Sequence, residues 1–265
     1  MQQFCYYEPY IMSIRNRISI IIPYYRKKKY FQETIKSILN QTYKNYEVIV
    51  IYDDTSLDEL EFVISNLNKI KNKKLIINNK NYGVGFSRNR GISQARGTYI
   101  AFCDADDTWK KNKLYSQLKF MFKNDLEISY TNYFIINEKS KIIGKFKSSK
   151  KLNYTDLLKS CDIGLSTIIL NKKFFNKNKF SELKTKEDYL LWLKIAKKIK
   201  FIYGLNQYLS SWRENKNSLS SSTIQKLLDA YRLYRLHLNY SFIFSILFTL
   251  RLALYAIIKK IKIFK

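Results

Sequence analysis

The chain has 265 residues and a mass of 31.8 kDa, which is enough to bury a core without disulfides or structural metals. Hydrophobic residues make up 46% of the chain and charged residues 26%, which excludes wholesale disorder. Lysine and arginine number 48 against 21 acidic residues, and the net charge of +27 points to nucleic acid or an anionic membrane surface as a partner.

The basic residues are spread along the chain rather than gathered in one block, so nucleic acid is the less favoured partner. A basic nucleic-acid-binding protein stays open as an alternative. The cysteines Cys5, Cys103 and Cys161 have no metal or disulfide spacing, which is typical of a reducing cytosol. Residues 1–16 show no signal-peptide pattern, so we expect a cytoplasmic protein.

The first half of the chain alternates apolar, β-branched runs with segments of helical spacing. Strands are predicted at 18–22, 46–52, 75–78 and 98–103, and helices at about 31–39, 58–70 and 85–95. This alternation predicts right-handed crossovers and a parallel sheet. Ligands bind beyond the carboxyl ends of such strands, where Pro23, the pair Asp53-Asp54 and the acidic run 104–107 are expected.

The second half is less regular. Helices are predicted at 114–123 and 187–199, strands at 127–137 and 166–171, an extended segment at 205–213, and helix from about 222 to the end. The few acidic residues cluster in both halves, and the run 104–107 is the sharpest cluster. Its carboxylates could hold Mg²⁺ or Mn²⁺ beside a substrate diphosphate. The alternative is a turn in which Asp107 caps the following helix.

Three spaced motifs together resemble the family-2 glycosyltransferases of the GT-A fold. They read IIPYYRK, then SILNQTYKNYEVIVIYDDTS, then GVGFSRNRGISQARGTYIAFCDADDTW, and they cover about residues 18–109. KTKEDYLLWLKIA and SSWRENKNSLSSS resemble the later motifs of the family more loosely. The resemblance implies an α/β GT-A fold, with a Rossmann-like, mostly parallel central sheet flanked by helices and a C-terminal helical extension.

The resemblance extends to about residue 222 and predicts the main domain. Residues 1–17 would form an N-terminal extension and residues 18–221 the GT-A domain, with a nucleotide-binding half at 18–110 and an acceptor half at 111–221. Residues 222–265, beyond the resemblance, are expected to form a helical, membrane-associating segment because of their apolar pattern.

The matching positions carry implied donor-binding roles. Pro23 and Tyr25 would line the nucleotide pocket, with Tyr25 against the base, and Asp54 would contact the base with Asp53 beside it. A stacked ring and a carboxylate that accepts an imide N–H suit uracil, so we favour a UDP-sugar. The alternatives for these residues are a strand-ending proline, a core tyrosine and a capped turn.

The remaining matches concern the diphosphate, the metal and catalysis. Arg88 would lie near the base or diphosphate, Asp104 would touch the ribose, and Asp106 would be the main ligand of Mn²⁺ or Mg²⁺. Asp188 matches the catalytic base of the family. For Arg88 the alternative is a solvated helix arginine. For Asp188 it is an acid that complements the dipole in a first helical turn.

One position departs from the family pattern. Many members have a histidine two residues after the aromatic-arginine pair, and some use it on the metal, whereas this chain has Asn215 there. A protein nitrogen ligand is therefore in doubt. His237, the single histidine of the chain, is expected on a helix surface.

The implied function is a metal-dependent, inverting hexosyl- or N-acetylhexosaminyltransferase of bacterial cell-surface polysaccharide or lipooligosaccharide synthesis. It would move a sugar from a nucleotide-sugar donor to a hydroxyl of a saccharide or lipid-linked saccharide acceptor. A catalytically silent nucleotide-sugar-binding subunit of such a machine is the alternative.

The tail is apolar over residues 240–258, with Arg251 as its single formal charge. Ser241, Ser245, Thr249 and Lys259 approximate a polar stripe, and lysines follow. This pattern favours a helix that lies in the membrane surface, so we expect a peripheral protein on the inner face of the cell membrane. The alternatives are a helix packed on the domain or against a second subunit in a homodimer.

Overall fold

The structure is a computed structural model that describes residues 16–215 and 222–263. Most of the predicted N-terminal extension, Cys5 and the end of the SSWRENKNSLSSS motif lie outside the described residues. Within them the predicted fold class is confirmed, because a mostly parallel central sheet carries helices on both faces and a C-terminal helix follows.

The first half contains alternating strands and helices. In chain order they are β1 (Ile18–Tyr24), α1 (Lys28–Leu39), β2 (Tyr46–Tyr52), α2 (Leu57–Leu67), β3 (Lys73–Ile77), α3 (Val84–Gln94) and β4 (Tyr99–Phe102). Strands β3, β2, β1 and β4 lie side by side in that order and all pair in parallel. Strands β1 and β2 have neighbours on both sides and helices on both faces, which explains their continuous β-branched runs.

The second half extends the same sheet. Its elements are β5 (Thr108–Trp109), α4 (Lys113–Lys123), β6 (Ile128–Ile136), β7 (Ile142–Phe146), β8 (Lys151–Leu152), α5 (Tyr154–Lys159), β9 (Ile169–Asn171), α6 (Glu187–Ala196), β10 (Ile202–Arg213), α7 (Thr223–Arg232) and α8 (Phe242–Ile263). Strand β9 pairs antiparallel with both β4 and β6, and so joins the two halves. The predicted strand at 166–171 is partly wrong, because Leu165–Thr167 forms a 3₁₀ turn before β9.

Two hydrophobic cores lie on opposite faces of the sheet. Helices α1, α2 and α4 cover one face, and α3, α5, α6, α7 and α8 contribute to the core on the other. Gly91 allows α3 to approach the sheet closely, because a Cβ there would lie 2.7 Å from atoms of both Ile21 and Ile51. The close packing of α3 fixes the position of its N-terminus at the carboxyl edge of the sheet.

The polar stripe predicted for the tail faces the protein rather than the outside. Ser245 and Thr249 are buried against the domain, Arg251 donates to the carbonyl of Leu158 (3.0 Å), and Lys259 donates to the carbonyl of Cys161 (2.8 Å). A helix that lies in the membrane surface would turn this stripe to water, whereas the structure turns Ser245 and Thr249 toward the domain. The hydroxyls of Ser245 and Thr249 donate to carbonyls of their own helical segment, those of Ser241 and Ser245, whereas Arg251 and Lys259 reach carbonyls of the domain. The apolar side of α8 is therefore the one that points outward.

Lys113 is a buried cation without a hydrogen-bond partner among the described residues. Its ammonium lies 4.1 Å from the centre of the Trp109 ring, and burial lowers its pKa from 10.5 to about 7. Between these values the unfolded chain binds more protons than the folded one, so the free energy of unfolding rises with pH.

We expect Lys113→Met to raise the free energy of unfolding near neutral pH, because the buried charge is removed. Relative to the variant, the wild type should gain at most about 1.4 kcal/mol per pH unit between about pH 7 and about pH 9. Urea denaturation across this range measures both effects. Lys119→Met, at an exposed position of the same helix, is the control. Parallel pH profiles for the wild type and Lys113→Met would contradict the prediction.

Candidate active site

The predicted site residues of the first half meet at one edge of the sheet. Tyr25 follows β1, Asp53 and Asp54 follow β2, and Asp104 and Asp106 follow β4. Because β1, β2 and β4 are parallel neighbours, their carboxyl ends lie together. Pro23 lies within β1, one residue before its end, and is partly exposed. The fold thus places every predicted donor-binding residue of these three strands at a common edge.

Asp54 has one carboxylate oxygen that accepts no hydrogen bond from the described residues. Its Oδ1 accepts from the Thr55 amide at 2.7 Å, whereas its buried Oδ2 has Arg26 Nε 3.7 Å away. The neighbouring Tyr25 ring is 40% exposed, with the Arg26 guanidinium 5.1 Å from its centre. An unpartnered acceptor next to an accessible ring is suited to a planar group that donates N–H.

Asp53 organises the loop that precedes α3. Its Oδ1 accepts from Asn78 Nδ2 (2.6 Å) and from the Tyr82 amide (2.9 Å), and its Oδ2 accepts from the Gly83 amide (2.9 Å). Gly83 has a φ of 89°, a conformation that favours glycine. With both oxygens engaged, Asp53 supports the pocket beside Asp54 through the loop. The structure shows no contact by which Asp53 itself would reach a base.

Arg88 joins acids from distant parts of the chain. Its Nη1 donates to Glu187 Oε1 (2.5 Å), its Nη2 donates to Asp104 Oδ1 (2.8 Å), and its guanidinium lies 5.3 Å from the centre of the Phe180 ring. The side chain is 4% exposed, which rules out the solvated helix arginine. Burial lowers the pKa of Arg88, but the carboxylates of Asp104 and Glu187 outweigh it and raise that pKa.

The acids at the start of α6 lie next to this arginine. Burial raises the pKa of Glu187 to about 7, with Asp188 adding to the rise and Arg88 opposing it. Burial likewise raises the pKa of Asp188, while Arg88 and the Tyr189 amide lower it. Asp188 Oδ1 accepts from that amide at 2.7 Å. The raised pKa of Asp188 reflects a partly buried carboxyl group beside the Arg88 cluster.

Asp106 is paired with a lysine. Its Oδ2 accepts from Lys27 Nζ at 2.5 Å, and its side chain is 13% exposed. The described residues contain no group of three His, Cys, Asp or Glu side chains that could hold a metal ion on their own. The carboxylate oxygens of Asp106 and the partly exposed Asp104 nevertheless suit a hard cation that shares its remaining positions with a diphosphate. The residues therefore fit Mg²⁺ or Mn²⁺ in that shared form.

Asp107 has a structural role that sequence reasoning left open. Its Oδ2 accepts from Ser166 Oγ (2.5 Å) and its Oδ1 from the Arg213 amide (3.0 Å), so it crosslinks the acidic loop to β10. It does not cap the next helix, because Asn112 holds the N-cap position of α4. Arg213 also donates through Nε to the carbonyl of Asp106 at 2.9 Å.

Sequence reasoning missed two contributors to this edge, Lys27 and Arg213. Both belong to motifs that carry the resemblance, Lys27 as the last residue of IIPYYRK and Arg213 in SSWRENKNSLSSS, but neither was assigned a role. Asn215 follows β10, and His237 is exposed in a π-helical turn after α7, as predicted for a helix-surface residue.

The comparisons with known proteins agree with this geometry. Residues 19–184 match the profile of glycosyl transferase family 2. Over 212 residues the chain is 38% identical to the UDP-Glc:alpha-D-GlcNAc-diphosphoundecaprenol beta-1,3-glucosyltransferase WfgD of Escherichia coli, covering 79% of this chain and 82% of that protein.

Solved structures share the fold. The TarS 1–349 fragment of S. aureus in complex with UDP-GlcNAc superposes with a TM-score of 0.70 at 23% identity, covering 83% of this chain but only 65% of that one. The mannosyltransferase PcManGT of Pyrobaculum calidifontis, in complex with GDP-Man and Mn²⁺, gives a TM-score of 0.66 at 13% identity, covering 90% of this chain and 72% of that one. At these identities the likeness supports the GT-A fold alone. The family profile and the curated relative together show that this chain belongs to glycosyl transferase family 2.

Proposed function

We propose that this family-2 glycosyltransferase moves a hexosyl or N-acetylhexosaminyl group from a UDP-sugar to a hydroxyl of a lipid-linked saccharide. The observation that carries the proposal concerns three acids in a chain that has few. Asp54 and Asp106 follow parallel strands on either side of β1, and Arg88 links this edge, through Asp104, to the start of α6, where Asp188 lies. The relative WfgD, by its name, uses UDP-Glc and a diphosphoundecaprenol-linked acceptor. Family membership favours this reading over a nucleic-acid-binding protein.

The donor is held by residues that directly follow β1, β2 and β4. The Tyr25 ring lies against the base, the free Oδ2 of Asp54 accepts the imide N–H of uracil, and Asp104 contacts the ribose. Asp53 supports this pocket through the loop before α3. Arg88 keeps Asp104 oriented through its 2.8 Å hydrogen bond.

A divalent cation, Mn²⁺ or Mg²⁺, held by Asp106 together with the diphosphate would supply positive charge that stabilises the leaving group. The ammonium of Lys27 already lies at the Asp106 carboxylate, so the chain contributes a second positive charge at this position. Arg213 fixes the backbone of Asp106 through its carbonyl.

Asp188 is the proposed catalytic base. It takes the proton of the acceptor hydroxyl as that oxygen attacks the anomeric carbon. The raised pKa brings the group closer to neutral pH, where a base transfers protons most effectively. A single in-line attack without a glycosyl-enzyme inverts the anomeric carbon through an oxocarbenium-like state.

Purified protein is expected to transfer sugar from at least one UDP-hexose or UDP-N-acetylhexosamine to a lipid-diphosphate-linked sugar in the presence of Mn²⁺ or Mg²⁺. Chromatography of a labelled product measures transfer, and calorimetry measures UDP binding. Asp106→Asn should lose the metal-dependent part of the UDP affinity. Binding of UDP without turnover of any donor would instead indicate the catalytically silent subunit, and equal metal dependence in both proteins would remove Asp106 as the ligand.

The outward side of the C-terminal helices forms an apolar face, which supports our proposal that residues 222–265 associate with the membrane and residues 18–221 form the catalytic unit. Within the described residues one helical stretch, Phe242–Ile261, is long and apolar enough to cross a membrane, and only 17% of its most apolar 18 residues are buried in the protein. Its exposed residues include Phe242, Ile243, Phe244, Leu247, Leu250, Leu254, Ile257 and Ile261, and α7 adds Ile224, Leu227 and Leu228.

A bilayer surface suits this face better than water. So many exposed apolar side chains on two helices would be costly to leave in water, and the net charge of +27 favours anionic phospholipids. Arg251 and Lys259 point to domain carbonyls, so burying the outer face in acyl chains would not desolvate them further. We therefore propose a peripheral location on the inner face of the cell membrane, where a lipid-linked acceptor is within reach.

The full-length protein is expected to float with vesicles that contain anionic phospholipid. Leu250→Glu together with Leu254→Glu should reduce the bound fraction at least tenfold, because each buried leucine contributes about 1.5–3 kcal/mol. Leu57→Glu, at an exposed position of α2, is the matched control and should float like the wild type. If the double variant floats equally well, the face is not the membrane contact. If the wild type stays in solution as a dimer, a second copy covers the face.

A further inference from the structure

The segment that carries Asp188 is held at its beginning by α3. Asn89 Nδ2 donates to the carbonyl of Phe180 (2.9 Å), and Asn89 Oδ1 accepts from the Phe180 amide (2.9 Å). Asp188 lies eight positions after Phe180. A catalytic side chain at the end of such a segment needs a second fixed point close to it.

Asp229 on α7 provides that second point. Its Oδ2 accepts from both the amide (2.9 Å) and the hydroxyl (3.0 Å) of Thr185, three residues before Asp188. The carboxylate is fully buried, and its other oxygen lies 3.5 Å from Arg232 Nη1. Two hydrogen bonds to one buried carboxylate oxygen fix both the backbone and the side chain of Thr185.

Lys186, between the anchor and the acids, has an unfavourable backbone conformation. Its φ is 71°, in the left-handed region, and it occupies the N-cap position of α6 without a side-chain cap. A non-glycine residue keeps such a conformation when its surroundings fix it. Here Thr185 is held by Asp229 on one side, and Glu187 is held by Arg88 on the other.

We propose that Asp229 is a positioning residue, which acts through Thr185 and Lys186 to set the direction of the Asp188 carboxylate. The inference rests on the proposed role of Asp188 as the base. Asp229 lies in the C-terminal helical extension, beyond residues 19–184 that match the family profile. The extension therefore contributes to the chemistry as well as to the apolar outer face.

Asp229→Ala is expected to lower kcat on the order of 10²-fold, the effect of a displacement of about 1 Å at a reacting group. The KM of the donor and the UDP affinity should stay close to those of the wild type, because Asp229 contacts none of the donor-binding residues. Arg232→Gln removes the exposed partner of Asp229 and leaves Thr185 untouched, so it is the control and should retain kcat.

A double-mutant cycle separates positioning from general destabilisation. In an Asp188→Asn background, Asp229→Ala should cause no further loss of kcat, since the group it orients is already gone. If the double variant loses kcat by the product of the two single factors, the proposal is overturned. It is also overturned if Asp229→Ala alone leaves kcat unchanged. If Asp188→Asn itself retains activity, the base assignment has failed, which is a separate result.

If Asp229→Ala does not fold, Thr185→Val tests the same contact from its other partner. Valine keeps the shape and the amide but removes the hydroxyl donor, so one of the two hydrogen bonds is lost. A several-fold fall in kcat with unchanged UDP affinity supports the proposal, and restoration of kcat by Thr185→Ser, which retains the hydroxyl, supports it further. An unchanged kcat in folded Thr185→Val overturns it.

Discussion

Replacing Asp188 with asparagine is expected to lower kcat by about 10²–10⁴-fold, the usual contribution of a positioned general base. The amide keeps the size of the side chain, and its Oδ1 can still accept from the Tyr189 amide as the carboxylate does. It cannot take the proton of the acceptor hydroxyl. UDP affinity and the melting temperature should therefore stay close to those of the wild type. Steady-state transfer kinetics measure the loss of kcat, and calorimetry measures the UDP affinity and the melting temperature.

Asp58→Asn is the matched control for this substitution. Asp58 is also an acid in a first helical turn, on α2 and away from the Arg88 cluster. If Asp188 only complemented the dipole of α6, both variants would show the same small loss of stability and normal transfer. Transfer by Asp188→Asn within a few-fold of the wild type would falsify the base assignment, and Glu187 would become the next candidate.

Replacing Arg88 with methionine is expected to cost about 3–5 kcal/mol in the free energy of unfolding, as is typical when one partner of a buried ion pair is removed. Methionine fills much of the same volume, so the loss reports chiefly on charge and hydrogen bonding. Glu187 and Asp104 would lose the guanidinium that they share. Urea denaturation measures this loss.

The loss of stability in Arg88→Met should also depend on pH, in a direction that the pKa of Glu187 predicts. The pKa of Glu187 is raised from 4.5 to about 7, so in this window the folded state binds more protons than the unfolded one, and the contribution of Glu187 to stability falls as pH rises. Without Arg88 the pKa should rise further. The destabilisation in Arg88→Met should therefore be larger at about pH 8 than at about pH 5.

Glu187→Gln added to Arg88→Met should recover part of the stability at about pH 8, because the unpaired buried charge is removed. Arg96→Met, at an exposed position after α3, is the control and should be nearly neutral. Two outcomes would show that Arg88 and Glu187 do not form a buried ion pair of the expected kind. One is that Arg88→Met and Glu187→Gln have additive effects on stability, and the other is that Arg88→Met costs less than about 1 kcal/mol.

The first half of the fold follows from local patterns in the sequence. The β-branched runs of β1 and β2, the helical spacing between them and the acids after β2 and β4 are local patterns. A central parallel strand has neighbours on both sides, so its sequence reports its burial directly. The short strands β5 and β8 have two residues each and gave no such signal. The family resemblance then assigned roles to positions whose residue types suit the chemistry.

Which of these side chains come into contact depends on long-range packing. Arg88 and Glu187 are separated by 99 positions, and no local pattern specifies that they form an ion pair. The polar stripe of α8 was visible in the sequence, but the side that it faces was not, since a stripe of serine, threonine and lysine suits water and a protein surface equally well. The domain offers carbonyls at Leu158 and Cys161, which accept from Arg251 and Lys259, and these bonds hold that side of α8 inward and leave the apolar side exposed.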